Sequence, residues 1–256
     1  GPLIYLVNAL AVGLSPRQEV GVWVLEVISI AITGFGIHRV VEREFGKDPA
    51  KLSLILFFGS LGYVLHPGNY TEEFALPLQV AALLQFSKSI RRTSDRRGWF
   101  VIGLLGGGLF LLRPNLVGLH LSIVAFLLLS RISSDALRQG LGELAFLGLG
   151  FAVTVGVLLA YFAANNALYE VWDEVIRFNT IYSVPTLRSG IDAVIEGARI
   201  LSPTGLVIFS VAAWSVAVKS MERRGGFLSQ GTLLGLAAVG LPVEYAMVAV
   251  SGRSLD

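Results

Sequence analysis

Residues 141–164 read LGELAFLGLGFAVTVGVLLAYFAA, and Glu143 is the only charge in the run. A helix crossing ~30 Å of hydrocarbon needs about 20 mostly apolar residues. These 24 residues meet that length. Working outward from this stretch, the same criterion picks out apolar runs at 20–38, 49–66, 74–87, 99–112, 116–130, 203–218 and 227–250. The expected fold is all-α: one polytopic transmembrane helix bundle of about eight spans over residues 1–256. The shorter runs gain length from snorkelling flanks such as Lys51 and Lys88, or end at a polar cavity. Residues 1–14 are apolar but short, and Ser15-Pro16 stops them. They are expected to lie as a helix in the membrane interface.

The composition agrees. Hydrophobic residues make up 54% of the 256-residue chain and charged residues 15%, with a mean hydropathy of +0.70. A globular domain usually carries about 25% charge, so an ordinary soluble enzyme is excluded, and intrinsic disorder with it. The net charge is +2, and basic residues fall in short clusters between apolar runs. This pattern argues against a nucleic-acid partner. There is no cysteine, which removes disulfides, thiolate nucleophiles and Cys-based metal sites. No signal peptide is recognisable, and the start at Gly1 within an apolar run reads as an internal fragment of a longer membrane protein.

Lysine and arginine set the orientation. Fourteen lie around the odd-numbered connections and six around the others. The basic side is expected to be cytoplasmic. Residues 1–17, the 66–73 turn, the Arg113 turn, the 165–202 loop and the C-terminal end then face outward. The 87–98 connection, SKSIRRTSDRRG, reads as a solvated basic loop. In the long outward loop, Tyr169, Trp172, Val175 and Ile176 recur at helical spacing, as in an interfacial helix with aromatic anchors. A second short helix is expected over 191–201. Gly106, Gly107 and Gly108 sit inside a span, where small residues let helices approach closely.

Polar residues at membrane depth or at its rim are costly and mark function by default. The turn His66-Pro67-Gly68-Asn69-Tyr70-Thr71-Glu72-Glu73 carries adjacent carboxylates. Thr71 suits an N-cap and the acids suit a first helical turn, but the turn holds more polar groups than a cap requires. Leu112-Arg113-Pro114-Asn115 puts a lone basic residue at the outward rim. Arg113 either snorkels or holds an anion, and its planar fork fits a phosphate. Ser251-Gly252-Arg253 follows the last span, preceded by Glu244 and Tyr245. Glu26 faces a cavity or the outer leaflet, and Glu143 reads as flanking its span. The histidines His38, His66 and His120 lie on different connections, which disfavours a metal site. No catalytic triad order, zinc spacing or iron–sulfur pattern occurs, and no cofactor is called for. Pro77 and Pro242 interrupt two spans, but no paired repeat halves of a transporter are visible.

Four segments, in order, resemble membrane glycosyltransferases of the GT-C fold, which include the dolichyl-phosphate-mannose protein mannosyltransferases and the bacterial lipid A aminoarabinose transferases. GPLIYLVNAL at 1–10 resembles the segment after the family's catalytic loop. GNYTEEFALPLQVAALL at 68–84 resembles its acid-bearing turn opening a span. GLLGGGLFLLRPNLVG at 103–118 resembles its Gly-rich span ending in a basic residue. SGRS at 251–254 resembles its outward Gly-Arg. The resemblance implies transfer of a sugar from a polyprenyl-phosphate donor to a glycan, lipid or protein acceptor on the outer face of a bacterial or archaeal plasma membrane. It assigns Arg113, and less directly Arg253, to the lipid phosphate. Glu72, Glu73, Asn69, Tyr70 and Asn115 would line the sugar or acceptor pocket. The family's catalytic carboxylate precedes the segment matching residues 1–10, so the base is expected upstream of Gly1, and this stretch alone is expected to be inactive. The alternatives are a non-catalytic integral membrane protein, such as a transporter or assembly partner, and an acyl or phosphoryl transferase acting on lipid carriers.

Overall fold

The computed structural model describes residues 1–15, 17–64, 71–92, 95–133, 136–177, 187–202, 205–223 and 233–251. These residues are helical almost throughout, with no strand among them. In chain order they form α1 (Leu3–Leu14), α2 (Gln18–Phe45), α3 (Lys47–Val64), α4 (Thr71–Ser89) and α5 (Arg96–Leu112). A 3-10 turn, Pro114–Val117, leads into α6 (Gly118–Ser133) and α7 (Leu137–Ala164). After these come α8 (Leu168–Val171), α9 (Leu187–Leu201), α10 (Leu206–Arg223) and α11 (Leu233–Ser251).

Each expected apolar run is helical over most of its described residues; 65–66, 203–204 and 227–232 lie outside them. On length and composition alone, three stretches among the described residues are long and apolar enough to cross a bilayer: Glu19–Phe45, Pro114–Ile132 and Leu137–Ala164. The other helices are shorter or carry charged ends; α3 starts with Lys47, Asp48 and Lys51. Bilayer-like surface is plentiful. Trp23, Val27, Phe35, Ile55, Leu141 and Val157 are among many large apolar side chains left exposed, which in water would cost heavily.

Several boundaries move for local reasons. α2 continues past residue 38 because 39–45 keeps the helical pattern, and it stops at Gly46, whose φ of +93° is open to glycine. Pro114, which fits a first helical position, opens the 3-10 turn ahead of α6. The second helix of the long loop begins at Leu187, four residues earlier than expected. The first is only the short α8, passing into a π-helical turn over Trp172–Arg177. Tyr169 and Trp172 are both well exposed.

The core lies between α4, α5, α6 and α11. Phe86 packs edge-on against both Trp99 and Phe126, and all three are fully buried. Edge-to-face pairs add about 0.5–1.5 kcal/mol each beyond their buried area. α5 and α7 meet through glycine. A Cβ on Gly103 would overlap the Leu147 carbonyl oxygen, and one on Gly150 would overlap the Phe100 carbonyl oxygen. The Thr154 hydroxyl crosses this contact to the Leu104 carbonyl at 3.1 Å. In the triplet, Gly106 lies against the His120 ring and Gly107 against Thr154, as expected for small residues in a packed span.

One end of the bundle is basic and tied by ion pairs. Arg91 of the 87–98 connection reaches Glu44 at the end of α2, and Ser87 donates to the same carboxylate at 2.8 Å. Ser89 donates to Asp95 at 2.8 Å. The connection read as a solvated loop is therefore fastened to its neighbours. Glu143 does more than flank its span. It is 4% exposed and takes two hydrogen bonds from Arg131, at 2.9 and 2.7 Å, clasping α6 to α7. Glu26 is buried, so it faces protein rather than solvent.

Candidate functional site

The opposite end of α4 and α5 gathers the groups singled out in the sequence. α4 opens with Thr71, Glu72 and Glu73. Thr71 is the first helical residue rather than its cap, and its hydroxyl donates to Glu72 Oε2 at 3.0 Å. α5 ends at Leu112, and Arg113 takes an extended conformation that turns the chain into the 3-10 segment. The Arg113 guanidinium donates to Glu72 Oε1, forming an ion pair between positions 41 residues apart. Both partners keep partial access to solvent, at 31% for Arg113 and 41% for Glu72.

Glu73, next to Glu72 in the chain, is buried. The next two residues, Phe74 and Ala75, form a small apolar cluster with Leu109 and Leu112, against which Leu3, Ile4 and Val7 of α1 pack together with Leu116 and Val117. Asn115 lies in the 3-10 turn, and its buried Oδ1 has no hydrogen-bond partner among the described residues. A buried amide oxygen left unpaired is costly and suits a site that a ligand donor completes. Gln79, further along α4, donates to the Leu116 carbonyl at 3.4 Å and props the turn. Gly1 lies against the carbonyls of Leu111 and Leu112, so the start of α1 comes up to the same mouth.

The structure thus pairs Arg113 with Glu72, and Glu73 and Asn115 are their near neighbours in the chain. Asn69, Tyr70 and Arg253 lie outside the described residues, as does His66. One residue was not assigned to the site from sequence. Glu244 of α11 turns its carboxylate onto Gly118, the first residue of α6 after the 3-10 turn. Its only sequence signal is a lone acid late in an apolar run. Among the described residues no group of three or more His, Asp or Glu side chains is placed to hold a metal ion.

A carboxylate-paired arginine beside an unsatisfied amide and a second, buried carboxylate can exchange one anion for another at a half-dry rim. The family model for dolichyl-phosphate-mannose-protein mannosyltransferases matches residues 1–161, which include all of α1 to α6 and most of α7. The chain belongs to this family. It is therefore a membrane glycosyltransferase of the GT-C kind by family, and the family implies a lipid-linked sugar donor and an acceptor at the membrane. The matched stretch of this mannosyltransferase-family chain contains Glu72, Glu73, Arg113 and Asn115, whereas Glu244 and the 251–254 segment lie beyond it. No curated protein and no solved structure matched the chain.

Proposed function

We propose that the Arg113 mouth is where the phosphate of a polyprenyl-phosphate sugar is held during glycosyl transfer. The observation that carries the reading is the Arg113–Glu72 pair, set at the bundle end opposite the basic connections and beside the unpartnered Asn115 amide. In the resting state Glu72 occupies the guanidinium. An incoming phosphate carries more charge and matches the guanidinium fork, so it displaces the carboxylate. Glu72 and Glu73, with Asn115, then face the sugar or the acceptor, joined by Asn69 and Tyr70 from the preceding turn. Arg253, two residues beyond α11, is a second phosphate contact.

The reaction needs few parts. The acceptor's hydroxyl or amine attacks the anomeric carbon. The bond from that carbon to the phosphate oxygen breaks, and the phosphate leaves with the electron pair. A carboxylate removes the acceptor's proton, and Arg113 stabilises the charge growing on the leaving phosphate. The resemblance puts that base ahead of the segment matching residues 1–10. Gly1 abuts the Leu111 and Leu112 carbonyls, so the segment that resembles the stretch after the family's catalytic loop borders this mouth. The whole stretch 1–256 acts as one domain of about eight spans in a plasma membrane, with the Arg113 end facing outward and the 165–202 segment on that side.

A second reading is favoured by the same ion pair. Arg113 and Glu72 also tie α4 to α5, as anchors would in a non-catalytic membrane protein. The experiment that separates the two is Arg113→Ala in the full protein, assayed in membranes for sugar transfer from a polyprenyl-phosphate donor. The transferase reading expects most activity to be lost while the protein still accumulates. Unchanged transfer would defeat it.

A further inference from the structure

The basic end of the bundle holds a cavity of about 400 Å³ between the starts of α5 and α7. Arg96 and Gln139 border it, as do Arg138 and Phe146, and the inner wall is Trp99. The charge at this cavity does not cancel. Glu143, also on its wall, is taken by Arg131 and by Gln139, whose amide donates to it at 3.0 Å. Arg96 and Arg138 have no carboxylate partner among the described residues; Arg96 stacks on the Phe146 ring at 5.5 Å instead. Among the described residues, two arginine charges therefore stand uncompensated at one opening. Trp99 is fully buried, and its indole N–H has no hydrogen-bond partner among the described residues. Buried donors are nearly always satisfied, but this one has no accessible surface and contributes nothing to holding an occupant.

The surroundings are apolar. Leu149, Val153 and Val157 of α7 are exposed, spaced four residues apart along the helix beyond the cavity. An occupant held here meets a guanidinium pair at one end and a hydrocarbon-facing stripe beyond it. This suits an amphiphile better than a free ion. Basic pockets between helices at the charged side of a membrane protein are known headgroup sites.

We propose that this cavity binds the phosphate headgroup of an anionic phospholipid, with the acyl chains laid along the exposed face of α7. The site is separate from the Arg113 mouth and does not depend on the transferase reading. Bound lipid would brace α5 against α7 at the end away from the chemistry.

The test is native mass spectrometry of the detergent-purified chain titrated with phosphatidylglycerol and, separately, with phosphatidylcholine. Wild-type protein should retain one phosphatidylglycerol far more strongly than phosphatidylcholine. Arg138→Gln should weaken that retention about fivefold, and Arg96→Gln with Arg138→Gln about twentyfold. The exposed neighbours Arg92 and Arg97 do not line the cavity, so Arg92→Gln and Arg97→Gln should leave it unchanged. Lipid indifference in the wild type would overturn the proposal without reference to any variant. Equal losses in the neighbouring variants would also overturn it, by making the effect a diffuse surface charge. Inorganic phosphate at millimolar concentration should leave the lipid adduct in place, and displacement by it would assign the cavity to a free anion instead.

Discussion

Replacing Glu72 by Gln should tighten the binding of a polyprenyl phosphate, whereas replacing Arg113 by Ala should weaken it. The two changes break the same ion pair, so opposite effects on a ligand are informative. At contact distance and an effective dielectric constant near 20, a pair of unit charges is worth about 4 kcal/mol gross. Exposures of 31% and 41% bring solvent close to both partners, and half-exposed pairs retain about 1 kcal/mol net. Donor phosphate must replace that interaction, so removing the Glu72 charge should improve affinity about fivefold. Arg113→Ala removes charge-assisted hydrogen bonds to the phosphate, worth about 2–3 kcal/mol, and should weaken binding about 30- to 150-fold. The assay is a titration of the chain in lipid nanodiscs with a short-chain polyprenyl phosphate, followed by thermophoresis. If Glu72→Gln weakened binding as much as Arg113→Ala, with matching losses of thermal stability, the pair would be a clasp between α4 and α5 and the exchange argument would fail.

Three further outcomes follow from the packing. Gly103→Val should destabilise the bundle by about 3 kcal/mol, because its side chain meets the Leu147 backbone, which no rotamer change can move; Gly156→Ala, with open space around it, should be neutral, and size-exclusion profiles after heating would compare the two. Glu143→Ala should cost about 3 kcal/mol by stranding Arg131 beside a buried position, and pairing it with Arg131→Met should recover part of that loss in a double-mutant cycle. Gly118→Val should destabilise the bundle by about 1–2 kcal/mol, because its side chain meets the Glu244 carboxylate of α11; an unchanged melting temperature would show that Glu244 moves aside freely.

Periodicity and charge carried most of the fold. The 141–164 run and its counterparts each became a helix because an apolar stretch of that length has only a helix to satisfy its backbone in hydrocarbon. Alternating basic connections put the start of α4 and the end of α5 at one end, so a shared mouth for Glu72 and Arg113 was legible in the sequence, whereas their direct pairing was not. Contacts between distant helices were not. Nothing local in 227–250 says that Glu244 turns toward Gly118, because that depends on how α11 packs on α6. Glu143 read as a flanking acid because a hairpin clasp needs the partner's geometry as well as its nearness in sequence. The 3-10 turn at Pro114 and the π turn after α8 also escaped the apolar pattern, since hydropathy sets where a helix lies and not how its ends are wound.

The most direct measurement is photocrosslinking with a polyprenyl phosphate that carries its reactive group next to the phosphate, followed by peptide mapping. Labelling should fall on peptides containing residues 71–75 and 111–118 and should be lost in Arg113→Ala. Labels confined to the Arg96 and Arg138 end, or undiminished in that variant, would contradict the placement of the donor phosphate at the Arg113 mouth.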